Sequence, residues 1–100
     1  MKDFREKVFQ IIIKIPKGKI TTYQEIAKAL GNKNLARAVG KVCGSNDKLI
    51  EIPCHRVIRS NGLLGGYKLG TNKKAELLRK EGFLVKQNKV LNYENNLVRF

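Results

Sequence analysis

A cysteine and a histidine stand side by side in this chain, directly after a proline. The pair is Cys54 and His55, and Pro53 precedes it. Cysteine is a strong nucleophile once it is ionised, and histidine can accept its proton near neutral pH. Because the proline ring fixes φ, we expect the thiol to be presented from a rigid corner. The dipeptide alone is weak evidence, since a buried free cysteine is more often a small apolar core residue.

The spacing of the pair limits how the proton can move. In an extended segment adjacent side chains point to opposite faces, so direct contact between the Cys54 thiol and the His55 imidazole is awkward. We therefore expect a water molecule to carry the proton between them. The second imidazole nitrogen then needs an orienting partner, as in other triads. The chain has eight acidic residues, and the residues alone do not choose among them.

The composition restricts the kind of site and the kind of partner. Two cysteines and one histidine, without a Cys-x-x-Cys pair, predict neither a disulfide framework nor a structural metal site. The 21 Lys and Arg residues against eight Asp and Glu give a net charge of +13. An excess of this size favours nucleic acid as the partner. Solubility and adaptation to heat are the alternative explanations.

Length and hydropathy indicate one globular domain. The 100 residues predict a single domain over 1–100. Apolar runs are far shorter than the roughly 20 residues that span a membrane, and the first residues do not read as a signal peptide. We therefore expect an intracellular protein without membrane association, cytoplasmic or, in a eukaryote, nuclear.

Helical spacing of apolar residues predicts the elements that position the Cys-His pair. A first helix is expected over about 3–15, with Asp3 as its cap and Pro16 as its stop. A second opens at Thr22 with a capping box that includes Glu25, and it ends at Gly31. After a polar turn, a third helix rich in small residues is expected over about 35–43. Two short helices joined by a tight turn are typical of a helix-turn-helix, although helical bundles show the same pattern.

The second half of the chain predicts short extended pieces and one more helix. Apolar residues at 49–52 and 57–58 indicate extended segments, and 60–62 and 65–70 are a turn and a glycine-rich loop. Thr71 is expected to cap a helix that Gly82 ends. The tail over 85–100 predicts a hairpin around 94–96, with disorder as the alternative. The fold class is thus α/β: a small, mainly helical domain with a winged-helix-like helix-turn-helix core and short strands.

Several segments match a known family in their order along the chain, over residues of about 4 to 84. They are Thr22-Tyr23-Gln24-Glu25-Ile26-Ala27, Ala36-Arg37-Ala38-Val39-Gly40, Asn46, Pro53-Cys54-His55-Arg56-Val57, Gly65-Gly66-Tyr67, and a helix with Leu77-Leu78 that ends in Glu81-Gly82. With these segments the chain closely resembles the catalytic domain of the O6-alkylguanine-DNA alkyltransferases. The Pro-Cys-His-Arg-Val motif in this context is highly specific.

The resemblance implies a role for each catalytic position. Cys54 is the alkyl acceptor, whose thiolate attacks the alkyl carbon on guanine O6. His55 is the base that acts through water, and Glu81 is its orienting partner. Asn46 braces the turn around the site, and Tyr23 is the acid that protonates guanine N3 as the alkyl group leaves.

The resemblance also implies how DNA is held. A base inside a duplex is out of reach, so the nucleotide must be extruded, and Arg37 fills the place that it leaves. The third helix is expected in the minor groove. The other residues expected to contact DNA are Thr22, Ala36, Ala38, Lys41 and Arg56.

A further group of residues is implied for the base pocket. The Val57 carbonyl accepts from the guanine amino group, and backbone N–H groups near Tyr67 and Lys68 face O6. Lys74 matches a basic position near the site, and Cys43 is expected as a packing residue on the inner face of the third helix, beside the base. Because some members have serine where this chain has Lys68, the preferred size of the alkyl group stays open.

The activity implied is DNA repair by direct and irreversible transfer of an alkyl group to Cys54. Such a protein is consumed in the reaction, needs no cofactor or metal, and works on double-stranded DNA as a monomer without an obligate protein partner. Two rival interpretations are a non-catalytic alkyltransferase-like protein, in which the acceptor cysteine is replaced, and a plain helix-turn-helix regulator. The presence of Cys54 argues against the first, and the Cys-His corner is superfluous in the second.

Overall fold

The structure is a computed structural model that describes residues 3–48 and 51–100. Within these residues the helices are α1 (Phe4–Ile13), α2 (Tyr23–Ala29), α3 (Ala36–Gly44) and α4 (Thr71–Lys80). The strands are β1 (Thr21–Thr22), β2 (Val57–Ile58), β3 (Leu84–Lys86) and β4 (Lys89–Leu91). Short 3₁₀ turns occur at Lys33–Leu35, Cys54–Arg56 and Tyr93–Asn96. The predicted fold class, a mainly helical domain with short strands, is confirmed.

The first helix begins and ends close to where the sequence pattern places it. The Asp3 carboxylate accepts the Glu6 N–H at 2.8 Å, which satisfies one of the free donors of the first turn. Val8, Ile12 and Ile15 are buried, as the helical spacing predicts. The helix ends at Ile13, before Pro16.

The helix-turn-helix is formed by α2, the 3₁₀ turn at Lys33–Leu35, and α3. Thr22 caps α2 as predicted, since its Oγ1 accepts the Glu25 N–H at 3.1 Å. The Glu25 carboxylate lies beside Lys28, 3.4 Å from Nζ. Gly31 follows α2 at φ +95°, a left-handed conformation that glycine adopts without strain.

A short parallel pairing connects the helix-turn-helix to the Cys-His turn. Thr21 pairs with Val57, and Thr22 pairs with Ile58. On the other side of β1 the C-terminal tail adds backbone contacts, because the Val98 N–H donates to the Ile20 carbonyl at 2.8 Å. These backbone hydrogen bonds hold the tail against β1.

Two predicted boundaries in the second half are wrong. The hairpin turns at Gln87–Asn88, between β3 and β4, whereas 93–96 is a 3₁₀ turn. Gln87 and Asn88 have φ of 51° and 63°, the left-handed pair that a tight two-residue turn requires. Thr71 does not cap α4; it is the first helical residue, and Gly70 at φ 95° occupies the cap position.

The Cys-His segment also differs from its prediction, because it is a 3₁₀ turn rather than extended chain. The extended stretch expected over 49–52 lies partly outside the described residues, which omit 49–50.

The buried apolar residues form two clusters on either side of the parallel strands. One joins α1, α2 and α3 and includes Val57, Cys43 and Cys54. The other joins α4 to the β3–β4 hairpin and includes Ile58. Neighbouring residues of β2 thus enter different clusters, as alternation along a strand requires. Across residues 3–48 and 51–100, helices long and apolar enough to span a bilayer are absent, as are groups of three or more potential metal ligands.

Candidate active site

Cys54 lies at the start of its 3₁₀ turn with the sulfur enclosed by protein. The residue is 1% exposed. The Asn46 amide donates to its Sγ at 3.2 Å and to the Ile52 carbonyl at 2.9 Å. Contact with Cys43 and the Asn46 hydrogen bond, aided by the positive charge of Lys74, lower the pKa of Cys54 against the opposing effect of burial. The surroundings therefore favour the thiolate, the form that reacts.

His55 lies between the thiol turn and an acidic partner at the end of α4. Its Nε2 is 2.8 Å from Oε2 of Glu81. Because an ionised carboxylate only accepts hydrogen bonds, Nε2 carries the proton and Nδ1 is the basic nitrogen. Nδ1 is buried and has no hydrogen-bond partner among the described residues. Burial lowers the pKa of His55, although Glu81 opposes the shift, so the imidazole is neutral and able to accept a proton at pH 7.

Arg56 completes this ion pair from the next position in the turn. Its Nε and Nη2 each donate to Glu81 at 2.9 Å, and its Nη1 donates to the Ile15 carbonyl at 2.9 Å. Burial raises the pKa of Glu81, but hydrogen bonds from Arg56 and His55 outweigh it and the net shift is downward. All three guanidinium nitrogens thus donate to groups of the protein itself. This corrects the expectation that the Arg56 side chain contacts DNA.

Tyr23, Lys74 and the glycine-rich loop meet on the other side of the site. The Lys74 ammonium donates to the Tyr23 hydroxyl and to the Gly66 carbonyl, each at 3.2 Å. Burial lowers the pKa of Lys74 to about 8, and burial raises the pKa of Tyr23 far above that of an ordinary phenol. Tyr23 therefore keeps its proton at neutral pH.

Gly65 makes this approach possible. A Cβ at Gly65 would lie 2.6 Å from the Tyr23 hydroxyl oxygen, and its φ of +72° is in the left-handed region. A residue with a side chain would therefore be strained and would displace Tyr23.

A large cleft opens next to Tyr23. Its volume is about 740 Å³, within the range of sites that bind small molecules. A second, more apolar cavity of about 390 Å³ is bordered by Pro53, His55 and Tyr67. Cys54 lines neither cavity, but its neighbours line both. The walls of the large cleft are Tyr23, Gln24, Ala36, Arg37, Gly40, Lys41, Arg59, Ser60, Gly65, Gly66 and Thr71.

The residues expected at DNA divide between this cleft and the interior. Ala36, Arg37 and Lys41 line the cleft, and the two basic side chains are exposed. Ala38 is half-buried and lies outside the cleft wall. Thr22 is 4% exposed and its hydroxyl caps α2, so the side chain expected at DNA is instead internal.

The residues expected at the base pocket are mostly interior. Val57 and Cys43 are buried in the first cluster, so Cys43 is in the core rather than on the cleft wall. Tyr67 borders the smaller cavity. Lys68 is exposed and pairs with Asp47 at 3.0 Å, which joins the glycine-rich loop to the loop after α3.

Sequence reasoning missed several residues of the site. Arg59, at the end of β2, lines the cleft together with Gln24, Ser60 and Thr71. The partners of Arg56 were also missed. In a chain with 21 basic residues, one arginine does not stand out, and contacts between distant segments leave no periodic pattern. The only available hint was the position of Arg59, five residues after Cys54.

Curated proteins share sequence with most of this chain. The chain is 51% identical over 77 residues to the methylated-DNA–protein-cysteine methyltransferase of Candida glabrata, covering 77% of the chain and 37% of that protein. It is 45% identical over 78 residues to the bifunctional transcriptional activator/DNA repair enzyme Ada of Escherichia coli, covering 78% of the chain and 22% of that protein. The chain thus spans less than half of the length of these curated relatives.

Solved structures show the same fold. Atl1 of S. pombe, in complex with damaged DNA containing O6-carboxymethylguanine, matches with a TM-score of 0.85 and 30% identity over 100% of both chains. OGT of Mycobacterium tuberculosis, in complex with DNA, matches with a TM-score of 0.75 and 43% identity over 81% of this chain and 49% of that one.

A family model covers most of the described chain. The model for the DNA binding domain of 6-O-methylguanine DNA methyltransferase matches residues 3–83. This match includes both helices of the helix-turn-helix, the Cys54 turn and Glu81. The chain therefore belongs to the family of 6-O-methylguanine DNA methyltransferase DNA-binding domains.

Proposed function

We propose that this protein binds DNA containing O6-alkylated guanine and transfers the alkyl group to Cys54. The observation that carries the proposal is the arrangement around the sulfur. Asn46 donates to Sγ at 3.2 Å, and the neighbouring His55 is held by Glu81 at 2.8 Å. A thiol that accepts an amide hydrogen bond, next to an oriented neutral base, is the arrangement that nucleophilic catalysis requires.

The cleft and its charges support DNA as the partner. Arg37, Lys41 and Arg59 lie along its wall, and the whole chain carries a net charge of +13. Cationic side chains bind phosphates without regard to sequence. An extruded nucleotide enters the cleft while α3 and Arg37 stay against the duplex. The structures of Atl1 and OGT were solved in complex with DNA, which supports the same partner.

The proposed reaction balances as a single displacement. The Cys54 proton passes through water to Nδ1 of His55, and the thiolate attacks the alkyl carbon. The S–C bond forms, the C–O6 bond breaks, and its electron pair stays on guanine. Tyr23 supplies a proton to the purine, and its hydroxyl is restored through the Lys74 ammonium 3.2 Å away. Because the Cys54 thiolate is a poor leaving group from the thioether product, the alkyl group stays on the sulfur and each molecule reacts once.

Because the Cys54 sulfur is enclosed by protein, the proposed mechanism requires a local movement that opens a path from the cleft to it. Cys54 is 1% exposed, whereas Tyr23 and Gly65–Gly66 line the cleft. Entry of the alkyl group therefore requires side chains at the end of the cleft to shift. The 65–70 loop lies outside the helices and strands and is the segment that accommodates this shift.

Intact-mass measurement tests the transfer. Wild-type protein is incubated with excess duplex containing O6-methylguanine, and a single gain of about 14 Da on Cys54 is expected. Cys54→Ser is the matched control, because it removes the sulfur with the smallest change in shape. An unchanged wild-type mass, or a gain that persists in Cys54→Ser, would refute the proposal.

Lesion binding without transfer is the second candidate. The observation that favours it is the match to S. pombe Atl1 over the full length of both chains. In this case the mass stays unchanged while the protein binds the methylated duplex more tightly than the unmodified duplex. A regulator would instead select a base sequence and ignore the lesion.

A further inference from the structure

The walls of the large cleft come from two different parts of the chain. The helix-turn-helix supplies one part, with Arg37 and Lys41 as its cations. The second half of the chain supplies the rest, and Arg59 is the cation among the residues that line the cleft there. The Arg59 side chain is exposed, whereas all three guanidinium nitrogens of the nearby Arg56 donate to the protein. Arg59 is therefore placed where a molecule that enters the cleft can reach it.

Arg59 opens a tight turn after β2, called here the Arg59 turn (59–63). The Gly62 N–H donates to the Arg59 carbonyl at 2.9 Å and closes the turn. The two residues that flank it, Ile58 and Leu64, are buried in the second apolar cluster. The backbone at Arg59 is thus anchored on both sides, although its side chain is exposed.

The β3–β4 hairpin holds the Arg59 turn by backbone hydrogen bonds. The Val90 N–H donates to the Gly62 carbonyl at 2.9 Å, and the Leu64 N–H donates to the Asn88 carbonyl at 2.9 Å. The family model matches residues 3–83, so the hairpin lies beyond the matched region. It nevertheless supports a part of the cleft wall.

Tyr93 adds a side-chain contact to the same turn. Its hydroxyl donates to the carbonyl of Ser60, the residue directly after Arg59. Its ring lies against Gly62, where a Cβ would be 3.3 Å from Cε1 of Tyr93. Because Ser60 and Arg59 both line the cleft, this hydrogen bond restrains the backbone from which the Arg59 side chain leaves the turn.

We propose that Arg59 binds a DNA phosphate at the cleft, and that Tyr93 is a positioning residue whose hydroxyl holds the Arg59 turn in place for this contact. A nucleotide that leaves the duplex stays attached to its strand, so its phosphates come to the mouth of the cleft. Arginine suits this contact because its guanidinium can donate two parallel hydrogen bonds to a phosphate. The inference rests on the proposed function in taking DNA as the partner, but it does not require transfer to Cys54.

Binding of an unmodified duplex tests the phosphate contact, with affinity measured by fluorescence anisotropy from about 50 to about 200 mM salt. Arg59→Ala is expected to weaken binding about five- to tenfold near 0.1 M salt, and to reduce the slope of log affinity against log salt by about 1. Lys86→Ala removes an exposed cation from the hairpin, outside the cleft wall. This control is expected to leave the slope unchanged.

A double-mutant cycle tests the positioning role. Tyr93→Phe keeps the ring against Gly62 and removes only the hydroxyl. It is expected to weaken DNA binding about three- to fivefold when Arg59 is present, and to have almost no effect in the Arg59→Ala background, because the hydroxyl acts through Arg59. Val85→Ala removes buried volume from β3 without removing a hydrogen bond to the turn. It is expected to lower stability in urea and to leave DNA affinity unchanged.

The outcomes separate this inference from the proposed function. A salt slope for Arg59→Ala equal to that of the wild type, or an equal decrease in Lys86→Ala, would overturn the phosphate contact. A loss of affinity in Tyr93→Phe that is the same in both backgrounds, or that Val85→Ala reproduces, would overturn the positioning role. If the expected affinities are found but methylated duplex leaves the mass of the protein unchanged, the proposed transfer is refuted and this inference stands.

Discussion

At the scale of single residues, the turn that contains Cys54 is anchored by Arg56 to segments far apart in the sequence. Arg56 donates to the end of α1 through the Ile15 carbonyl and to Glu81 after α4. Glu81 in turn holds His55, so one carboxylate orients the base and neutralises the adjacent guanidinium. A buried charge that loses its partner is costly, and this pairing therefore supports stability as well as the proposed chemistry.

His55 predicts how stability depends on pH. Its pKa in the folded protein is below the ordinary value of 6.5, so the unfolded chain takes up a proton first as the pH falls. The contribution of His55 to stability is full above pH 6.5 and decreases as the pH drops toward the folded pKa of His55. Below the ordinary Glu81 pKa of 4.5, loss of the carboxylate lowers stability further.

Urea unfolding from about pH 8 to about pH 4 measures this dependence. Because His55 is the only histidine in the chain, the decrease beginning near pH 6.5 is expected to vanish in His55→Gln. Equal stability of the wild type at pH 7.5 and pH 5 would contradict the prediction.

At the scale of elements, the glycine-rich loop and α2 are fitted to each other. Gly65 lies against the Tyr23 ring, whereas the neighbouring Gly66 has open space around its Cβ position. The two adjacent glycines are thus under different structural constraints. Only the first is required by a close contact and by a left-handed φ.

Gly65→Ala is expected to lower the free energy of unfolding by about 1–3 kcal/mol, because it combines left-handed strain with a clash. Gly66→Ala is the matched control and is expected to change it by no more than about 0.5 kcal/mol. Thermal unfolding of both variants checks the difference. Equal losses in the two variants would show that the Tyr23 contact does not matter.

The elements also show how far sequence reasoning reached. Helices α1 and α2 were predictable to within about two residues because apolar spacing and caps are local. The hairpin was placed wrongly because three consecutive residues rich in Asn outweighed Gln87–Asn88, where the backbone is left-handed. The chemistry expected of Cys54 and His55 followed from the residue types, whereas the roles in alkyl transfer and the choice of Glu81 came from the resemblance. The burial of Arg56 and of Thr22 depends on tertiary contacts that no local pattern records.

At the scale of the whole molecule, the basic charge and the tail determine different properties. The net charge of +13 acts on a polyanion over long distances and is screened by salt. The C-terminal tail acts through short contacts with Ile20 and Thr21. The net charge therefore affects the binding of a polyanion, whereas the tail affects the stability of the fold.

DNA affinity is expected to fall steeply as salt concentration rises. Replacing Lys41 with Ala removes one exposed cation from the cleft wall and is expected to reduce the slope of log affinity against log salt by about 1. Lys17→Ala, in the exposed turn after α1 and outside the cleft wall, is the control. Fluorescence anisotropy with a labelled duplex gives both slopes. A slope near zero for the wild type would argue against phosphate contacts.

Removal of residues 97–100 is expected to destabilise the protein by about 2–3 kcal/mol. The truncation removes the Val98 N–H bond to Ile20, the Val98 carbonyl that accepts from Thr21 Oγ1, and the amide of Leu97 that bonds to Glu94. Each such bond contributes about 1 kcal/mol. Urea unfolding checks the value. A decrease in the free energy of unfolding below about 0.5 kcal/mol would mean that the contacts of the tail do not stabilise the fold.

The parallel pairing of Thr21–Thr22 with Val57–Ile58 has one more consequence. Thr22 is the last residue before α2, and Val57 directly follows the turn that contains Cys54. The spacing between the helix-turn-helix and Cys54 is therefore set by two residue pairs of backbone, too short a span to act as a hinge. If the proposed reaction takes place, the large movement therefore occurs in the DNA. The alkylated nucleotide must leave the duplex and approach Cys54, while the backbone at this pairing stays in place.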